Sequence, residues 1–159
     1  MMGAVLRYDS SDLTLTTAFQ RDKDALGNAV TWRMVTGAYS VDRVKLTAAF
    51  NSVNVPTGLQ SGATAAYRHS KMASIGAQYQ ASDSLTLGLQ HWRVTDRITR
   101  TSSRLTNLNA RYALSKRTSL FVMLGQSLSG AIPLAAINGF AATANARQTA
   151  YAAGISHNF

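Results

Sequence analysis

Arg7, Lys45 and Arg111 are the residues best placed to do chemistry, and that chemistry is the attraction of anions. Each interrupts the polar side of a stretch in which apolar and polar residues alternate. The chain has no glutamate, and its seven aspartates (Asp9, Asp12, Asp22, Asp24, Asp42, Asp83 and Asp96) fall in turn-like segments or at the ends of such stretches. The three cations therefore have no carboxylate partner expected in mid-stretch. An uncompensated charge in a dry, packed interior is too costly to keep, so this pattern asks for a hydrated surface. Gln78, Asn107 and Asn109 share the same polar alternation and complete a candidate solute-lining set. Covalent or metal chemistry has little support. There is no Gly-x-Ser-x-Gly, no acid within a strand to orient a histidine, and no phosphate-cradling glycine loop. His69, His91 and His157 are too dispersed for a metal site. No catalytic residue, metal or cofactor is expected.

The elements that must hold these side chains are strands. Alternation with a period of two recurs along the whole chain, and no segment shows a convincing helical period. The expected strands are 3–8, 13–20, 32–40, 44–51, 71–80, 85–92, 104–114, 118–126 and 151–159, nine in all. Short connections at 9–12, 41–43, 81–84 and 115–117 carry Asp, Ser and Arg or Lys, the first two of which bond readily to nearby backbone amides. Longer loops are expected at 21–30, 52–69, 94–102 and 127–147. Tight turns on one side and longer loops on the other are the layout of a membrane barrel. Tyr8, Tyr39, Tyr79 and Tyr112 fall beside the short turns, where an interfacial aromatic girdle belongs, and Phe159 is expected at the same level. Tyr151 belongs to the same closing strand.

Composition agrees without deciding. The 159 residues suit one domain, 1–159, and contain no cysteine and no apolar run long enough for a transmembrane helix. Mean hydropathy is −0.05, as alternation of lipid-facing and lumen-facing residues would produce. A net charge of +9 raises nucleic acid as a partner. Lys and Arg are scattered singly, however, with no basic run longer than Lys116-Arg117, so no nucleic-acid interface is expected.

Several stretches resemble the Gram-negative general porins of the beta- and gammaproteobacterial type. Leu6-Arg7-Tyr8-Asp9-Ser10 is similar to a strand and turn midway along those proteins. The stretch Thr36-Gly37-Ala38-Tyr39-Ser40-Val41-Asp42-Arg43-Val44-Lys45-Leu46 is similar to one of their hairpins. Tyr112-Ala113-Leu114-Ser115-Lys116-Arg117-Thr118 is close to their last tight turn, and Gly154-Ile155-Ser156-His157-Asn158-Phe159 to their ending. Residues 51–69 carry no such likeness.

The resemblance implies an all-β, antiparallel transmembrane barrel in the outer membrane, surrounded by outer-membrane lipid. It also implies a passive diffusion channel for small hydrophilic solutes and ions, not an enzyme. Nine strands would then be the C-terminal part of a barrel of about sixteen, with Met1 an internal residue of a longer product, which explains the lack of a signal peptide. Recognition of the C-terminal strand by the barrel-assembly machinery, and a homotrimer of the full-length protein, are implied in the same way. The three wall cations suggest a lean towards anions. Two alternatives stand beside this reading: a complete small outer-membrane barrel with a structural or adhesion role, and a soluble barrel around an apolar ligand.

Overall fold

The computed structural model describes residues 1–23, 29–55, 69–131 and 143–158. Nine strands form one sheet in chain order: β1 (Met2–Asp9), β2 (Leu13–Lys23), β3 (Ala29–Val41), β4 (Val44–Asn54), β5 (His69–Gln80), β6 (Leu85–Asp96), β7 (Ser102–Ala113), β8 (Thr118–Leu128) and β9 (Arg147–His157). Every neighbouring pair is antiparallel. The sheet is open, since β1 and β9 each have a single neighbour, and both run in the same direction. A closed nine-stranded barrel is thus not what these strands form. Phe159 lies outside the described residues.

Three of the four short turns share a mechanism. Leu13, Leu85 and Thr118 each donate their backbone N–H to the hydroxyl of the serine three residues earlier, Ser10, Ser82 and Ser115, at 3.1–3.2 Å. A serine at the head of the turn thus satisfies the amide that opens the returning strand. The β3–β4 turn has two residues, with Asp42 at a φ of 47°. That left-handed conformation is one Asp tolerates better than most side chains.

At the opposite end the strands run further than the alternation suggests. The expected loop at 94–102 shrinks to 97–101, because β6 continues through Asp96 and β7 restarts at Ser102. Asp96 holds this turn, accepting the N–H groups of Ile98 and Thr99, each at 2.8 Å. Likewise β4 extends to Asn54, β8 to Leu128, and β9 starts at Arg147. The remaining parts of the expected loops at 21–30, 52–69 and 127–147 fall largely on residues outside the described set.

Cross-strand partners share a face, so the register sorts every side chain. One face carries Leu15, Val35, Leu46, Ile75, Leu89, Leu108, Leu124 and Ile155; the other carries Thr16, Thr36, Lys45, Ser74, Gln90, Asn107 and Asn109. The apolar face is the more exposed. Leu108 is 48% accessible and Ile75 66%, and buried apolar side chains among the described residues are confined to Val53, Val55 and Val94. The chain exposes 10699 Å², whereas a compact globule of 17.1 kDa exposes about 7,800 Å². A single-layer sheet of this kind has no protein core of its own. Its apolar face calls for a covering of hydrocarbon, while its backbone groups, those of the two open edges apart, are satisfied within the ladders. An apolar interior, as a soluble ligand-binding barrel would need, is the reverse of this arrangement.

Local packing on the polar face depends on glycine at 154. Gly154 stands opposite Phe121, and a Cβ there would come within 2.7 Å of the ring. The ring therefore lies over the glycine and covers its bare backbone. Gly154→Val is expected to destabilise the folded sheet by about 1–3 kcal/mol, the usual penalty of overpacking. A urea titration in detergent micelles checks it, and an unchanged midpoint would show that Phe121 moves aside freely.

Candidate functional site

The six candidate lining residues all lie on the polar face, but they do not form one group. Lys45 on β4 stands directly opposite Gln78 on β5, Gln78 opposite Gly88, and Gly88 opposite Asn109 on β7. The three polar side chains thus share one lateral row across four strands. Asn109 fills the space above Gly88, where a Cβ would lie 2.7 Å from both its Oδ1 and its Nδ2. Asn107 is two residues further towards the loops, opposite Gln90 and Gly125. Arg111 is two residues nearer the turns, opposite Thr86, and its Nε donates to Ser119 Oγ at 3.0 Å.

Arg7 stands apart, on β1, three strands from Lys45. Contrary to the expectation that it lacks a partner, its Nε donates to Asp9 Oδ2 at 2.6 Å and its Nη2 to Asp9 Oδ1 at 3.0 Å. Residues two apart on a strand point the same way, so Asp9 at the strand end still reaches Arg7. Thr14 also donates to Asp9, at 2.8 Å. Arg7 therefore adds little net field, and Lys45 and Arg111 carry the charge of the wall near the turn end of the strands. Three strands at about 4.8 Å each, with a two-residue offset of about 6.8 Å along the strand, put them roughly 16 Å apart. That is too far to grip one small ligand together. They can bias the local ion population, and no site for a resident ligand is implied. Among the described residues no cluster of His, Asp or Glu could hold a metal.

On the outer face the tyrosines form a line that only the register reveals. Tyr8 faces Leu15, which faces Gly37, two residues short of Tyr39. Tyr39 leads through Leu46 to Ala77, two short of Tyr79, and Tyr79 through Leu87 to Ala110, two short of Tyr112. The offset is thus one residue per strand. With a rise of about 3.4 Å and a spacing of about 4.8 Å, this corresponds to strands tilted by roughly 35°, the tilt typical of membrane barrels. Tyr8, Tyr39, Tyr79 and Tyr112 then lie at a single height, as a girdle requires. The next place in the line, on β9, is His157, whose ring Nδ1 is 2.8 Å from Thr118 Oγ1. Tyr151 is six residues towards the loops from that place and so sits near the height of Phe19 and Phe50, away from the turn-side line.

The polar alternation also hides an apolar zone. Trp32 faces Val53, Met72 faces Val94 and Trp92 faces Leu105, all on the inner face near the loop end. The alternation in sequence contained this signal, since each shares its parity with the polar wall residues of its strand.

Comparison with known proteins agrees with this geometry. The chain is similar in structure to an anion-selective porin from Comamonas acidovorans, with a TM-score of 0.77 and 22% sequence identity over 99% of this chain and 48% of that one. It thus spans about half the length of that protein. None of the curated protein sequences matches. A family model described as Gram-negative porin matches residues 1–131. With that match over most of its length, and a nine-stranded tilted sheet that is apolar outside and polar inside, the chain belongs to the Gram-negative porin family.

Proposed function

We propose that the chain forms part of the wall of a water-filled channel through which small hydrophilic solutes and ions diffuse passively, with a lean towards anions. The outer membrane is the setting of this family. The observation that carries the reading is the polar face itself. Lys45 and Arg111 stand among amides and hydroxyls near the turn end of their strands, and no described strand places a carboxylate directly opposite either of them. Two such cations are tolerable where water reaches them and untenable in a dry, filled barrel. Cations on a pore wall attract anions and repel cations, and the structural relative is itself named for anion selectivity. The family and fold are those of passive channels, and we assign no catalysis.

In this proposal residues 1–159 are one domain, the C-terminal part of a barrel of about sixteen strands. The edge strand β9, ending near Phe159, is what the barrel-assembly machinery engages, and the full-length protein is a homotrimer. Gln78, Asn107 and Asn109 line the channel beside the two cations.

Reconstitution of the complete barrel, this chain with the strands that close it, into planar bilayers tests the channel. Ohmic conductance steps are expected, with a zero-current potential in a salt gradient of the sign set by anion preference. Preparations that fold and insert yet conduct nothing would sink the channel reading. Cation preference would remove only the anion lean.

A further inference from the structure

A cavity of about 390 Å³ opens on the inner face of β1 to β4, towards the loop end. Ala18, Trp32, Met34 and Val53 form its apolar floor, and Gln20 and Asn51 bring amides to its edges. The register explains the grouping. Gln20 faces Trp32 and Trp32 faces Val53, while Ala18, Met34 and Asn51 make the adjoining row. Gly3, on the far side of Gln20, adds no side chain and leaves that end open. Trp32 is 47% accessible and Met34 38%. Large apolar side chains grouped on a wall of amides and hydroxyls mark a binding surface, and the volume suits a small molecule.

The polar edge of the cavity has a fixed orientation. Gln20 Nε2 donates to Asp22 Oδ2 at 2.8 Å. An ionised carboxylate accepts and never donates, so the amide nitrogen is turned to Asp22 and the acceptor Oε1 is turned away from it. The second carboxylate oxygen, Asp22 Oδ1, is buried and has no hydrogen-bond partner among the described residues. A buried acceptor in that state lacks a donor. Water would meet the hydrogen bond but leave the charge uncompensated.

Charge along the inner face is graded. The three strand aspartates, Asp9, Asp22 and Asp96, all lie on that face. Asp9 is paired with Arg7, and Asp96 accepts the backbone of its own turn. Asp22, next to last in β2, is left as the uncompensated negative end. Arg21 and Lys23 flank it in sequence but stand on the outer face. The inner-face cations Lys45 and Arg111 lie near the turn end instead. No described strand places a side-chain cation on the inner face beside Asp22.

We propose that this cavity binds small organic ammonium ions with a ring-bearing, apolar body. The ammonium group meets Asp22 and Gln20 Oε1, and the ring lies on Trp32 and Met34. An indole face attracts a cation, and a thioether packs well against an aromatic ring. An anion of the same shape would meet the Asp22 carboxylate head-on. The loop-side end of the wall thus retains organic cations, while its turn-side end attracts small anions. The inference rests on the polar face being the lumen wall, because the solute enters from water on that side.

The test uses the complete barrel, this chain with the strands that close it, folded in non-ionic detergent micelles. Binding of benzylammonium, benzyl alcohol and benzoate is followed by saturation-transfer NMR titration. Benzylammonium is expected to bind about tenfold more tightly than benzyl alcohol, the gain of a charge-assisted over a neutral hydrogen bond, and benzoate more weakly still. Asp22→Asn keeps an acceptor for Gln20 and should abolish that tenfold preference. Trp32→Leu should weaken benzylammonium about threefold or more. Trp92→Leu, which alters the other inner-face tryptophan three strands away, should stay within about twofold. Equal binding of benzylammonium and benzyl alcohol, an unchanged preference in Asp22→Asn, or equal losses in the two tryptophan variants would each overturn the site. If a cavity variant does not fold, the three ligands compared on the unaltered barrel decide alone. A barrel that conducts but shows no ammonium preference refutes this site only, whereas one that binds benzylammonium yet conducts nothing refutes the channel reading.

Discussion

Replacing Leu108 with arginine is expected to destabilise the bilayer-inserted sheet by about 2–4 kcal/mol, the range for a cation near the midplane of a barrel's lipid face. Leu108 stands between Leu89 and Leu124 in one lateral row and four residues from Tyr112 along β7. That places it near the middle of the apolar band. A guanidinium there has no water within reach and no carboxylate on its face. Gln90→Lys is the matching control, since Gln90 is on the polar face between Gly76 and Asn107, with Gly76 leaving room for a longer side chain. Its effect should stay within about 0.5 kcal/mol. Urea titrations of folding into phospholipid vesicles measure both. Similar losses for the two would mean that the assignment of lipid and lumen faces is wrong.

The double reversal Lys45→Glu with Arg111→Glu is expected to lower the anion-to-cation permeability ratio about eightfold, because the energy that disfavours an anion equally favours a cation. An ion passing about 10 Å from one unit charge in water feels roughly 0.4 kcal/mol. Two reversals change four units of charge, or about 1.7 kcal/mol before screening. At 0.1 M salt the Debye length is also about 10 Å, which leaves about 0.6 kcal/mol. Zero-current potentials across planar bilayers read this directly, and the shift should shrink at 1 M salt. The single variant Arg7→Glu changes the wall by two units of charge against four and leaves Asp9 without its cation, so it should move the potential about half as far. A larger shift from Arg7 than from the pair would mean that the field of the wall lies elsewhere.

The nine strands were legible because alternation is local: Leu85, Leu87 and Leu89 against Thr86, Gly88 and Gln90 identify a strand without any partner. Their outer ends were not. At the loop side both faces turn polar, as in Thr95, Asp96 and Ser102, so the alternation fades while the hydrogen-bond ladder continues. Arg7 with Asp9 was available as a same-face pair two residues apart, and was obscured by treating strand-end aspartates as turn residues. The common height of the tyrosines needed the register. A stagger of one residue per strand leaves no mark in a linear sequence.

The open edges carry a last consequence, which is one of counting. β1 and β9 point the same way, as the first and last of any odd meander must. Joined to each other, or to the edges of further copies inserted in the same orientation, they could meet only in parallel. The other eight junctions of the sheet are all antiparallel. Identical copies therefore cannot build an all-antiparallel ring, however many are supplied. An all-antiparallel closure from β9 back to β1 would need an odd number of further strands, and seven would bring the total to about sixteen. Parity would thus act as a proofreading rule on assembly, admitting into an all-antiparallel ring only a complement with an odd number of strands.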